Sequence, residues 1–269
     1  MNQVWRRRII GMLLSTLFSC FLINVALWVF DPLGVLLYFD AIQDHAAVKI
    51  AHPTGFAYPP NDYIFGAYPA RIRRDGYRDV PLSVYADCVL TFVGDSFTYG
   101  SGVSDWETFA SQIAAQFDDV EFHNAARGGY NVDNVSATMQ HVRDGSNGII
   151  YLIYDNDYYG GVTTLTPTTR RYLLPLGWYL YALGFNMPPP YDAQAFTPRL
   201  QSALSDDVLP FVFEDATIAM VAQDMGAIPI ARPTSVISRY DFHPDAIGHQ
   251  QIADSMLLHI ESFASERCT

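Results

Sequence analysis

Ser96 follows the apolar run Val89–Val93 almost directly, in the segment Gly94-Asp95-Ser96-Phe97-Thr98-Tyr99-Gly100. A serine on a tight turn between a strand and a helix exposes its hydroxyl, and its own backbone N–H can help bind an oxyanion. Gly94 permits the turn, and Asp95 is of a type that bonds to nearby backbone groups. Alone, Gly-Asp-Ser is a common turn and carries little. A second segment, Asn124-Ala125-Ala126-Arg127-Gly128-Gly129-Tyr130-Asn131, has two adjacent glycines whose N–H groups can approach a ligand closely, in either register. A third, Tyr154-Asp155-Asn156-Asp157, places an amide, Asn156, where it could donate to the same oxyanion. The fourth, Asp241-Phe242-His243-Pro244-Asp245-Ala246-Ile247-Gly248-His249, offers a histidine with a carboxylate two positions earlier. Serine is a weak nucleophile until a base takes its proton. The base needs a carboxylate to fix its tautomer and to stabilise the imidazolium. The developing oxyanion needs several preorganised donors, each worth on the order of 3 kcal/mol. The other polar residues read more plainly: His249 as a structural hydrogen-bonding group, His123 and His141 as surface or satisfied residues, Asp95 as a turn former, and Asp155 and Asp157 as loop polars.

The elements that must position these segments alternate. Val89–Val93, Val120–Phe122, Gly148–Tyr154 and Ile228–Ala231 are short apolar runs of the kind that form buried strands. Between them, Phe109, Ile113 and Phe117, then Val135, Met139 and Val142, then Ile218, Val221, Ala222 and Met225 recur at helical spacing. Ile252, Met256, Leu257 and Ile260 mark a last helix. Such alternation predicts a mostly parallel sheet covered by helices on both faces, with sites at the carboxyl ends of the strands. Residues 155–208 break the rhythm and are expected as an insertion over that edge of the sheet. The insertion carries Tyr172, Trp178, Tyr179, Tyr181 and Phe185, which suit either a cap that binds sugar faces or acyl chains, or packing on one side of the sheet. Residues 31–84, rich in Pro, Tyr, Asp and Gly, are expected as an extended connector, and residues 85–269 as the main domain.

Ile9–Phe30 is an uncharged run of 22 residues. At about 1.5 Å per residue it covers a hydrocarbon slab of ~30 Å. Arg6, Arg7 and Arg8 precede it and Asp31 follows, so the positive-inside rule predicts a single-pass anchor over residues 1–30 with the remainder outside the cytoplasm. A cleaved signal peptide would have a shorter apolar core and a small-residue cleavage motif, and no convincing motif is present. Leu17-Phe18-Ser19-Cys20 only loosely resembles a lipidation motif, because Phe18 is large and the apolar run continues past Cys20. The formal net charge is −12, and −15 without the three arginines, which argues against nucleic acid as a partner. Three cysteines, Cys20, Cys88 and Cys268, give neither a disulfide framework nor a zinc pattern.

Ser96, the Gly128–Gly129 pair, Asn156 and His243, in this order and each at a strand end or before the last helix, resemble the four blocks of the SGNH (GDSL-like) serine hydrolase superfamily over residues 86–265. The run Gly94–Gly102 with Val103 and Glu107, and the ending Asp241-x-His243-Pro244-x-x-x-Gly248-His249, are similar to membrane-tethered bacterial members. The resemblance implies an α/β, flavodoxin-like, three-layer α/β/α fold, here preceded by one transmembrane helix. It implies hydrolysis of carbohydrate or lipid esters with neither cofactor nor metal. It makes Ser96 the nucleophile, His243 the base and Asp241 the orienting acid, with an oxyanion hole from Ser96, Gly129 and Asn156. The chain departs from the pattern twice: Tyr154 stands where the third block has glycine, and Tyr240 stands three residues before the histidine, where many members carry the acid. The expected function is therefore an ester hydrolase on the periplasmic side of a bacterial inner membrane, acting on a small-molecule, glycan or lipid ester. An O-acyltransferase using the same triad on a polysaccharide or glycolipid is the alternative. A non-catalytic binding module is disfavoured by the intact serine, asparagine and histidine.

Overall fold

A computed structural model of the chain describes residues 3–83, 85–158, 175–185 and 192–268. Helix α1 (Gln3–Phe30) is the one helix among them long and apolar enough to cross a membrane, and its side chains, Leu13, Leu17, Phe21 and Trp28 among them, are exposed. The segment expected as an extended connector begins instead with helix α2 (Val35–Val48). Its start is specified locally: the Asp31 carboxylate accepts from the N–H groups of Leu36 and Leu37, and Gly34 takes the left-handed conformation before it. Two antiparallel hairpins follow, β1 (Ile50–His52) with β2 (Gly55–Ala57), and β3 (Asn61–Phe65) with β4 (Tyr68–Ile72). Isolated bridges from Arg78 to Ile72 and to Asn124 tie the second hairpin to the main sheet.

That sheet has five parallel strands in the order β6-β5-β7-β8-β9, namely β5 (Cys88–Val93), β6 (Val120–Asn124), β7 (Gly148–Ile153), β8 (Val208–Phe213) and β9 (Ile228–Ile230). Counted along the sheet this is 2-1-3-4-5, the flavodoxin-like order. The central strand β7 is buried at all six positions, as a strand covered on both faces must be. Helices α4 (Phe109–Ala114) and α9 (Ala246–Arg267) pack on each other, while α5 (Val132–Val142) packs on α7 (Ala193–Ala203), which touches α8 (Ala219–Asp224). The three-layer α/β/α arrangement implied by the resemblance is the one observed. Strand β8 was not expected. Pro210 lies within it and cannot donate to a ladder, which disguises a central strand in the sequence.

Cys88, at the start of β5, is joined by a disulfide to Cys268, just past the end of α9. This pairing leaves no mark in the sequence, because partners 180 residues apart have no local spacing. Native full chain is expected to present one titratable thiol, Cys20, and three after reduction and unfolding. Changing Cys88 and Cys268 together to serine is expected to destabilise by ~2–5 kcal/mol. Turnover should be unchanged, since Cys88 lies one strand length, about 20 Å, from the turn after β5. Three reactive thiols in the native protein would refute the pairing.

Candidate active site

In this strand order β5 has β6 on one side and β7 on the other, so the loops leaving β5, β6 and β7 meet where the winding reverses, the crevice in which such folds bind ligands. Strand β5 ends at Val93 and gives way at once to helix α3 (Ser96–Tyr99). Gly94 makes the turn at φ 151°, and a Cβ there would sit 2.4 Å from Thr98 Oγ1. The Asp95 carboxylate accepts from Phe97 N–H at 2.9 Å and so caps α3. Ser96 is thereby held at the tip of the turn with its Oγ 2.7 Å from His243 Nε2.

His243 reaches this point on the loop before α9. Ser238 Oγ accepts from the N–H groups of Tyr240 and Asp241, and Asp241 Oδ1 accepts from His243 N–H at 3.1 Å and from Nδ1 at 2.5 Å. The carboxylate at minus two thus curls back to its own histidine. Tyr240, at minus three, is engaged elsewhere: its N–H donates to Leu33 O and its ring lies 5.4 Å from that of Tyr38. Burial alone would lower the His243 pKa. The adjacent Asp241, by charge and hydrogen bond, with Asp95 beyond it, more than offsets this and holds it above the ordinary imidazole value.

The second segment is stitched to the serine turn. Ala125 N–H donates to Phe92 O, Arg127 N–H to Gly94 O, and Asn124 Nδ2 to Thr98 O. A Cβ on Gly128 would lie 3.8 Å from Ser96 Cβ, so this glycine abuts Ser96. Gly129 follows at φ 89°, with open space around it. Asn131 then caps α5. Asn156 lies in the 3-10 turn Asp155–Tyr158 after β7, and its side chain is outside the described residues.

Asp157 and Asp155 are not loop polars. Asp157 is fully buried, and its Oδ2 accepts from Tyr151 Oη and Tyr154 N–H, because the turn folds back beneath β7. Burial, with Asp95 nearby, pushes its carboxyl well above the usual carboxylate range. Asp155 accepts from Thr217 N–H and pairs with Arg232. The Tyr154 ring lies 4.0 Å from that of Phe97, tilted by 31°, and so walls the site next to Ser96. His249 accepts Phe109 N–H on Nδ1, and burial lowers its pKa to about 3, so it stays neutral as a cap for α4. His123 pairs with Glu121.

Sequence reasoning missed Arg78. It is 1% exposed, and its guanidinium donates to the carbonyls of Tyr99, Gly100 and Val103 and to Asp105, bracing the loop that leaves α3. No local signal marks it within Arg73-Arg74-Asp75-Gly76-Tyr77-Arg78, which looks like a solvated charged run.

In the insertion, Tyr172 and the side chains of Tyr181 and Phe185 lie outside the described residues. Trp178 and Tyr179, on helix α6 (Pro175–Phe185), are buried against Val35 and Phe39 of α2, so these two pack rather than cap.

No family model and no curated protein matches the chain. Among solved structures it is similar to a psychrotrophic esterase, EstA, from a Pseudoalteromonas species, at 11% identity and TM-score 0.45, over 66% of this chain and 100% of that one. It is similar to a member of the lipolytic protein G-D-S-L family from Veillonella parvula, at 13% identity and TM-score 0.40, over 64% and 97% of the two chains. It is also similar to a family two carbohydrate esterase from Cellvibrio japonicus, at 16% identity and TM-score 0.43, over 71% and 65%.

Proposed function

We propose that the chain is a serine ester hydrolase acting on a carbohydrate or lipid ester, with its catalytic domain on the periplasmic side of a bacterial inner membrane. The observation that carries the reading is the unbroken chain Ser96 Oγ to His243 Nε2 at 2.7 Å and His243 Nδ1 to Asp241 Oδ1 at 2.5 Å, in the crevice at the switch of strand order. Ser96 Oγ attacks the ester carbonyl while His243 Nε2 takes its proton, and the same proton then passes to the departing alcohol. Asp241 keeps Nδ1 protonated and stabilises the imidazolium. Backbone N–H groups of Ser96 and Gly129, and the Asn156 amide, bind the oxyanion, with Gly128 as the adjacent alternative donor. Water then repeats the sequence on the acyl-enzyme. The anchor α1, the arginines before it and the Cys88–Cys268 disulfide, a bond suited to an oxidising compartment, together support the location.

The test is the pH dependence of p-nitrophenyl acetate hydrolysis by full chain in detergent. The base must be neutral, and its pKa is raised, so kcat/KM should climb with pH along a limb lying above about 6.5, the ordinary imidazole value. Asp241→Asn removes the carboxylate that raises it. The limb should then move to lower pH, while the plateau falls on the order of 10³–10⁴-fold. A limb that stays in place in Asp241→Asn would assign the acid to another residue.

A further inference from the structure

Asn24 is a polar residue inside the span, six residues before its end at Phe30. That is about 9 Å of helix. An amide at such depth is costly unless it is fully bonded. Here both ends are used: Nδ2 donates to Cys20 O at 2.8 Å, and Oδ1 accepts the N–H of Leu176 at 3.0 Å. Leu176 belongs to the first turn of α6, whose N–H groups have no partner within their own helix. Three residues on, Tyr179 Oη donates to the Asp31 carboxylate at 2.6 Å, and Leu33 N–H donates to Tyr179 Oη. So α6 meets α1 at Asn24, within the apolar run, and meets the turn just after α1 at Asp31 and Leu33. The sequence of α6, Pro-Leu-Gly-Trp-Tyr-Leu-Tyr-Ala-Leu-Gly-Phe, has no charged residue, and Leu180 on its outer side is 62% exposed.

The same joint holds the catalytic loop. Tyr240 N–H donates to Leu33 O at 3.0 Å, and the Gly34 Cα rests on Ser238, whose hydroxyl fixes Asp241. The Tyr38 and His243 rings lie 6.4 Å apart. Leu33 is three positions after Phe30 and His243 three after Tyr240, at most about 11 Å of chain in each case. His243 therefore lies within ~25 Å of the hydrocarbon edge, of which the headgroup layer takes up ~5–8 Å.

We propose that the first turn of α6 is buried in the outer leaflet beside α1, and that the two helices hold Ser96 and His243 over the bilayer, so that the substrate is an ester carried by a membrane amphiphile. This rests on the serine-esterase reading and narrows it, from any carbohydrate or lipid ester to one presented by the membrane.

The test uses full chain reconstituted in phosphatidylcholine vesicles. A fluorophore on Cys20 gives the depth standard within the span. The same fluorophore is placed on Leu176→Cys and on Leu258→Cys, each in a Cys20→Ser background; Leu258 is 74% exposed on α9. The label at 176 should be quenched by bromolipids to within twofold of the Cys20 label and be at least fivefold less accessible to iodide than the label at 258. Equal iodide quenching at 176 and 258 would overturn the burial of α6, whatever the enzyme hydrolyses. Turnover is then compared for a diacyl phospholipid and an O-acetylated glycolipid, each doped into the same vesicles, against p-nitrophenyl acetate in water. At least one vesicle-borne ester should show a kcat/KM tenfold or more above the soluble one, and the preferred ester identifies the amphiphile. If p-nitrophenyl acetate turns over and neither vesicle-borne ester is faster, the substrate proposal falls and the esterase reading stands. If none of the three is hydrolysed, the esterase reading falls with it.

Discussion

Replacing Ser96 by alanine is expected to lower kcat for ester hydrolysis by at least ~10³-fold, about 4 kcal/mol of transition-state stabilisation. His243→Ala should lose as much. Each change removes one end of the 2.7 Å contact between Ser96 Oγ and His243 Nε2, and neither group does its proposed work without the other. The double variant should therefore be little worse than either single one, because residues that act as a unit are not additive. Folding should be nearly untouched. The Ser96 hydroxyl has His243 and, at 3.4 Å, Asp95 as partners, and the turn itself is held by Gly94 and by the Asp95 cap, which the alanine leaves in place. An unfolding midpoint equivalent to a loss of no more than ~1 kcal/mol is expected. His249→Asn should do the opposite: kcat within a few-fold, but lower stability, since this fully buried ring takes the Phe109 N–H at the start of α4. The measurements are burst and steady-state kinetics on p-nitrophenyl esters with urea unfolding alongside. Losses at 96 and 243 that multiply, or a His249 variant as inactive as His243→Ala, would contradict the proposed roles.

The residues brought together here were legible in the sequence because their signals are local. Gly94-Asp95-Ser96 sits on a strand end that its apolar run announces, and Asp241 and His243 are two positions apart. The apolar helix α1 was legible for the same reason, since 22 uncharged residues need no partner to be recognised. What was not legible depends on contacts between distant segments. Helix α2 is specified by Asp31 and buried by Trp178 and Tyr179, so within a Pro- and Gly-rich stretch its own 14 residues gave too little periodicity. Strand β8 is defined by pairing with β7 despite Pro210. Helix α7 likewise continues through Pro198 because Phe196, Leu200 and Ala203 bury one face. Asp157 looked like the loop polars around it, and only the fold-back beneath β7 gives it Tyr151 as a partner. The disulfide closes 180 residues, a separation no spacing rule reaches.

Arg78 is the extreme case, and Arg78→Met is expected to have the largest effect on stability of any single change in the molecule. The guanidinium is fully buried and uses all three of its nitrogens: Nε on Asp105 at 2.9 Å, Nη1 on the carbonyls of Tyr99 and Gly100 at 2.7 and 2.5 Å, and Nη2 on Val103 O at 2.6 Å. It also lies over the Tyr99 ring at 4.8 Å. These carbonyls end α3 and begin the loop beyond it, so a positive fork at this point satisfies acceptors that the short helix cannot, and complements its negative end. Methionine fills a similar volume but donates nothing. It would strand three carbonyls and leave the Asp105 carboxylate without its buried partner. Breaking such a pair from one side costs about 3–5 kcal/mol. Arg78→Lys keeps the charge but offers a single compact donor group in place of the fork, so it should recover only part of the loss. Because α3 begins at Ser96, slackening its far end should also misplace the Ser96 hydroxyl. A displacement of 1 Å can lower kcat about 10²-fold, so kcat should fall in Arg78→Met more than KM rises. Urea midpoints and the split between kcat and KM are the readouts. An Arg78→Met protein that unfolds within ~1 kcal/mol of wild type and keeps its kcat would mean that this loop is held by the Ser104–Glu107 capping box and its neighbours without the arginine.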